Sequence, residues 1–146
     1  MREMTIIAPV VALVAWSLVV MFWMVVTRLP EMKRKGIDLK TVRGGRPGVL
    51  DGVLSDKAQW KAHNYIHLME QPTLFYAICF ALALLGGGHG FNTVLAWIYV
   101  ALRVAHSLVQ GTVNIVRYRF LLFLGATLAL VGLTLHAAMM LLHLHL

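Results

Sequence analysis

The sequence predicts an all-α integral membrane protein built as a four-helix bundle. Of its 146 residues, 60% are hydrophobic and only 13% are charged, a composition too apolar for an ordinary soluble domain. Four stretches each offer close to 20 mostly apolar residues, which is enough to cross a hydrocarbon core of roughly 30 Å. Most of the basic residues fall in a single connection between these stretches. We therefore expect one compact membrane domain over residues 1–146.

The predicted spans follow from the apolar stretches. They cover about 5–26, 59–85, 91–113 and 118–142. The first is longer than the core of a secretion signal and has no small-residue cleavage site before Arg28, so we expect a permanent span. Helix two should begin near Ser55, whose hydroxyl can cap free N–H groups. His143 and His145 are expected to end the last helix at the interface.

The distribution of positive charge predicts the orientation. The connection over 28–56 and the start of helix two carry nine of the 13 Lys and Arg residues: Arg28, Lys33, Arg34, Lys35, Lys40, Arg43, Arg46, Lys57 and Lys61. The glycine-rich turn at 86–90 carries none. The basic loop should therefore face the cytoplasm, with both termini on the other side. Contact with anionic membrane lipid fits this charge, whereas nucleic acid is not an expected partner because no groove-reading motif accompanies it.

One face of helix two is polar at a depth where the bilayer disfavours polar groups. His63, His67 and Glu70 stand at positions i, i+4 and i+7, which places them on one side of a helix, with Asn64 at its edge. Ionisable side chains inside a membrane usually face a bundle interior or a wet cavity. This stripe is therefore a candidate binding surface.

A second polar stripe follows helix three. Its members are Arg103, His106, Gln110, Asn114 and Arg117, and they stay in line if the helix continues to the next turn. Two polar stripes near one membrane surface favour a shared pocket.

Two other interpretations use the same residues. Glu70 paired with Arg103 or Arg117 would simply hold helices or subunits together. His63 and His67 have a spacing that suits a shared metal ion, but no metal-binding motif supports such a site.

Two segments resemble a known family, the membrane-associated proteins in eicosanoid and glutathione metabolism (MAPEG). They are KAHNYIHLMEQPTLF over 61–75 and RVAHSLVQGTVNIVRYRF over 103–120. The resemblance implies a homotrimer of four-helix subunits that binds glutathione between neighbouring subunits, near the cytoplasmic surface. The chain resembles a divergent, bacterial-type member of this family, for which the inner membrane is the expected location.

In the family's second helix, glutathione is contacted by an Arg, an Asn four residues later and a Glu three further on. The matching positions here are His63, His67 and Glu70, so the resemblance implies that Glu70 holds the glutathione ammonium.

In the family's third helix, an Arg is followed by two tyrosines and then by the Arg that activates the thiol. These positions are Arg103, His106, Gln110 and Arg117, so both arginines match and both tyrosines are replaced. The resemblance implies that Arg117 is catalytic, since a guanidinium near the start of a helix lowers the pKa of a thiol.

The resemblance implies a glutathione-dependent transferase or peroxidase acting on a small lipophilic substrate. The alternative is a non-catalytic membrane scaffold or accessory protein whose histidine-rich pocket binds a lipid headgroup, a metal or a partner. A transporter is a third hypothesis, which the clustering of polar residues near one surface disfavours.

Overall fold

The described part of the chain forms four α-helices and no strand. The computed structural model describes residues 6–43, 45 and 48–142. The helices are α1 (Ile7–Arg34), α2 (Asp56–Leu84), α3 (Phe91–Thr112) and α4 (Val116–Leu141). Each is long and apolar enough to cross a membrane, so the prediction of an all-α four-helix membrane fold is confirmed. His143 and His145 lie outside the described residues.

The connection from α1 to α2 is fastened at its end. Ser55 is the N-cap of α2, as predicted, and its hydroxyl oxygen accepts the N–H of Ala58 at 3.4 Å. The carboxylate of Glu31, on the last turns of α1, accepts the Ser55 N–H at 2.5 Å and its hydroxyl at 2.8 Å. The loop therefore returns to the end of the helix from which it departs.

The core of the bundle is apolar and runs along its length. Leu13, Phe75, Tyr99 and Leu133 come from the four helices and are fully buried. The rings of Phe75 and Tyr99 stack with centroids 4.3 Å apart, which ties α2 to α3. Among the helix pairs that touch in the described residues, α3 and α4 share the most extensive contact and α2 and α4 the least. A groove is left between α2 and α4.

The short turn between α2 and α3 is closed by a buried asparagine. Asn92 donates from Nδ2 to the carbonyl of Gly87 at 2.8 Å, and its Oδ1 lies 2.6 Å from Nδ1 of His136 on α4. Gly86 and Gly90 adopt positive φ angles of 76° and 60°, which a glycine tolerates without strain. This end of the bundle is thereby joined across three helices.

Candidate functional site

A buried guanidinium lies behind the polar face of α2. Arg103 on α3 is 1% exposed, and its Nη2 donates to the carbonyl of His67 at 2.7 Å. Within the described residues, its Nε and Nη1 have no hydrogen-bond partner and it forms no ion pair with a carboxylate. A buried cation with free N–H groups is costly unless an acceptor is supplied. Among the described residues, Arg103 is therefore the group that most needs an anion.

Two histidines stand beside this arginine. The rings of His67 and His106 meet edge to face, with centroids 6.0 Å apart. Nδ1 of His67 lies 3.3 Å from Oε2 of Glu70, whose side chain is 61% exposed. Glu70 thus marks the rim of the site, while Arg103 and His106 are its interior.

His67 and His106 line a groove of about 240 Å³ at one end of α4. Its lining residues are His67, His106, Val116, Arg119, Phe120 and Phe123. Arg119 donates from Nη1 to Oδ1 of Asn114 at 2.7 Å, and its Nε has no partner in the part of the chain described. The guanidinium of Arg103 lies 5.9 Å from the centroid of Phe123, which closes the groove from the α4 side.

The two arginines near the start of α4 occupy different environments. Arg117, the residue predicted to be catalytic, is exposed and does not line the groove, whereas Arg119 is half-buried and does. Sequence reasoning left Arg119 out of the site. The signal that would have found it is the helical spacing of Val116, Arg119 and Phe123 on one face of α4.

The polar stripe of α3 does not continue as one helix face. Helix α3 ends at Thr112, and Asn114 adopts a positive φ of 53° that turns the chain into α4. Arg117 therefore belongs to α4, out of line with Arg103.

Two members of the predicted site are buried between helices instead of lining the groove. Asn64 donates from Nδ2 to the carbonyl of Ser107 at 3.0 Å, and Gln110 is 2% exposed. Neither Oδ1 of Asn64 nor Oε1 of Gln110 has a partner among the residues described. Asn64 thus joins α2 to α3 away from the groove, and Gln110 is buried within the bundle.

His63 is also separate from the groove and faces the connecting loop. Its Nε2 lies 3.7 Å from Oδ1 of Asp51, which also accepts a short hydrogen bond from Gln59. Across the described ranges, no group of three or more His, Cys, Asp or Glu side chains is placed to hold a metal ion.

An apolar groove of about 670 Å³ continues along α2 and α4 from the polar one. Its lining includes Leu74, Ile78, Leu130 and Val131. Gln71 stands at the polar end of this surface, donating to Oγ1 of Thr127 at 2.8 Å and accepting from the Tyr99 hydroxyl at 3.3 Å. The face between α2 and α4 is therefore polar at one end and apolar along the rest.

The four helices are apolar and of spanning length, Arg103 is buried among them, and a polar groove opens beside it. These features define a multi-pass integral membrane protein with a polar site. The model of the MAPEG family matches residues 6–139, nearly the whole chain. The chain belongs to the MAPEG family, as the two segments over 61–75 and 103–120 predicted. No curated protein and no solved structure matches it.

Proposed function

We propose that this protein is a glutathione-dependent transferase or peroxidase acting on lipophilic substrates, with its site in the groove beside His67 and Arg119. The observation that carries the proposal is Arg103, whose buried guanidinium keeps two N–H groups without a partner among the described residues. An anionic ligand entering from the groove would supply the missing acceptors.

The charges around the groove suit a ligand that carries both signs. Arg103 is placed to bind a carboxylate of glutathione, and Glu70 at the rim, 3.3 Å from His67, is placed to bind its ammonium. His67 and His106 are available as further hydrogen-bond partners.

Thiol activation is assigned to Arg117, acting with the N-terminal end of α4. A guanidinium and a helix N-terminus both stabilise a thiolate, which is the reactive nucleophile. Because Arg117 is exposed in a single chain, we propose that it reaches the groove of a neighbouring subunit in a homotrimer. Arg119, which lines the groove of its own chain, is the rival for this role.

The second substrate is proposed to enter from the lipid. The apolar groove of about 670 Å³ begins beside the polar one and faces outward between α2 and α4. A lipophilic electrophile or peroxide in the membrane would reach the thiolate along this face without crossing water.

Calorimetric titration of glutathione into the detergent-purified protein tests the proposal. We expect a dissociation constant in the micromolar to millimolar range. Arg103→Met should abolish the binding, and Arg43→Ala, an exposed arginine of the loop, should leave it unchanged. If glutathione gives no heat of binding with the native protein while its helices are intact, glutathione binding is refuted.

Thiolate absorbance separates the two candidate activating residues. Arg117→Ala should remove the thiolate signal of bound glutathione at neutral pH, while Arg119→Ala should reduce binding more than ionisation. Loss of the thiolate signal only in Arg119→Ala would transfer the role to the residue within the chain's own groove.

The second candidate function is a non-catalytic membrane scaffold or accessory protein. It is favoured by His63, His67, His106 and Gln110, which stand where family members have glutathione contacts. In that case the pocket would hold a lipid headgroup, a metal or a partner's side chain. A saturable thiolate signal would count against it, and the absence of any such signal at accessible pH would support it.

A further inference from the structure

A third cavity lies where α1 leaves the membrane-spanning region, remote in sequence from the groove of His67 and Arg119. It has a volume of about 680 Å³. Its lining residues are Leu29, Met32, Lys33, Gly36, Ile37, Asp38, Leu39 and Lys40. The wall is therefore apolar on one side and basic at the rim, a combination that the glutathione proposal does not use.

The cavity is formed by a defined helix ending. Gly36 adopts a φ of 72°. The N–H of Ile37 donates to the carbonyl of Met32 at 3.0 Å, and the N–H of Gly36 donates to the carbonyl of Lys33 at 3.1 Å. These two hydrogen bonds make the Schellman motif, in which the chain reverses and an apolar residue after the helix packs against its last turns. The side chains of Ile37 and Met32 are thereby brought to one wall.

The turn that follows holds the second lysine over the same cavity. Asp38 accepts the N–H of Lys40 on its Oδ1 at 2.9 Å, and its carbonyl accepts the N–H of Thr41 at 3.1 Å. The carboxylate of Asp38 is thus engaged with the backbone of its own turn. Lys33 and Lys40 are both exposed and form no ion pair with a carboxylate in the part of the chain described.

The apolar part of this surface is left open to the surroundings. Leu29, before the end of α1, is 45% exposed, and Leu39, after it, is 61% exposed. At the end of a membrane-spanning helix, exposed leucines face acyl chains while neighbouring lysines extend their ammonium groups to the headgroup level. The occupant must therefore carry an acyl chain and a negative charge next to each other.

We propose that this cavity binds the headgroup and upper acyl chain of an anionic glycerophospholipid from the leaflet that the basic loop faces. Lys33 and Lys40 contact the phosphate, and Leu29 and Leu39 contact the chain. The site goes beyond the proposed thiol chemistry and is independent of it, because neither lysine touches the groove of His67 and Arg119.

Native mass spectrometry of the full-length protein in neutral detergent tests the site. The probes are dioctanoyl phosphatidylglycerol and dioctanoyl phosphatidylcholine, which have equal chains and differ in net charge. We expect preferential retention of phosphatidylglycerol, one molecule per chain. Lys33→Gln with Lys40→Gln should weaken it about 25-fold, at roughly five-fold for each lysine near a membrane surface.

The matched control removes the same charge elsewhere in the connection. Arg43→Gln with Lys57→Gln lowers the net charge equally, and neither residue lines the cavity. We expect retention within about two-fold of the native protein. Equal weakening in the two double variants would show diffuse attraction to the basic loop and overturn the site, as would equal retention of the two lipids.

Two further measurements separate a lipid from a free phosphate. Leu39→Ser should weaken dioctanoyl phosphatidylglycerol but leave inorganic phosphate binding unchanged, because only the lipid has a chain to lose contact. Lipid retention that is unaffected by Leu39→Ser would refute the acyl-chain contact. All these side chains are exposed, and helical content measured by circular dichroism checks that the variants fold.

Discussion

The contact of α3 with α1 predicts that Gly111→Ala destabilises the bundle. A Cβ at Gly111 would lie 2.7 Å from Cζ3 and 2.9 Å from Cη2 of Trp23. To restore ordinary contact at 3.4 Å, the indole must retreat by about 0.7 Å. The rigid ring moves as a whole, and the ammonium of Lys61 lies over it at 5.3 Å from the centroid. Withdrawal of the ring would therefore disturb a second contact.

The magnitude follows from two opposing effects. Overpacking of this kind costs about 1–3 kcal/mol. Replacing glycine by alanine favours a helix interior by up to about 1 kcal/mol, and by less near the helix end where Gly111 lies. We expect a net decrease of about 1–2 kcal/mol in the free energy of unfolding.

Equilibrium unfolding in mixed micelles with increasing SDS measures this difference. Gly125→Ala is the control, because its Cβ would meet only the flexible tip of Leu102, at 3.2 Å. That variant should be neutral or slightly more stable, since helix propensity is then the main change. In the Trp23→Leu background, Gly111→Ala should lower the free energy of unfolding by about 1 kcal/mol less than it does in the native protein. Unchanged or increased stability in Gly111→Ala would refute the packing argument.

Three other substitutions test the polar contacts that join the helices. Gln71→Leu should lower the free energy of unfolding by about 1 kcal/mol in the same micelle assay, because it removes the hydrogen bonds to Thr127 and to α3. Asn92→Leu should cost about 2 kcal/mol and separate α4 from the turn, since it leaves the Gly87 carbonyl and His136 without their partner. Ser55→Ala should cost about 1 kcal/mol through loss of the N-cap, and hydrogen exchange should quicken in the first turn of α2.

Two of these variants, Gln71→Leu and Ser55→Ala, have a matched control or a contrary outcome. Thr134→Val removes a hydroxyl that bonds only within α4, to Leu130 at 2.9 Å, so it should be nearly neutral beside Gln71→Leu. An equal loss in both would show that the bond across the helices adds nothing. For Ser55, exchange that quickens throughout α2 would indicate a change in packing and not in the cap.

The sequence by itself determined the number of helices and the family. It also predicted the bounds of α2, α3 and α4 to within about three residues, whereas α1 runs to Arg34, eight residues beyond the predicted end at 26. Four apolar stretches of spanning length leave the backbone no alternative to helices, because its polar groups must be satisfied within each segment inside a bilayer. Ser55 likewise predicted the start of α2. Every helix start leaves backbone N–H groups free, and a capping hydroxyl accepts from one of them. These features depend on interactions within short segments of the chain, which the type and spacing of the residues are sufficient to predict.

Only the tertiary structure decided which polar side chains share a groove. A stripe from Arg103 to Arg117 required one continuous helix, but Asn114, with a φ of 53°, turns the chain after α3. Helix α4 begins four residues after α3 ends, so the direction of the Arg117 side chain is set by α4. Arg119 lines the groove, whereas Gln110 is buried within the bundle. Which side of a helix meets its neighbour depends on packing among all four helices, and residue spacing within one helix does not contain that information.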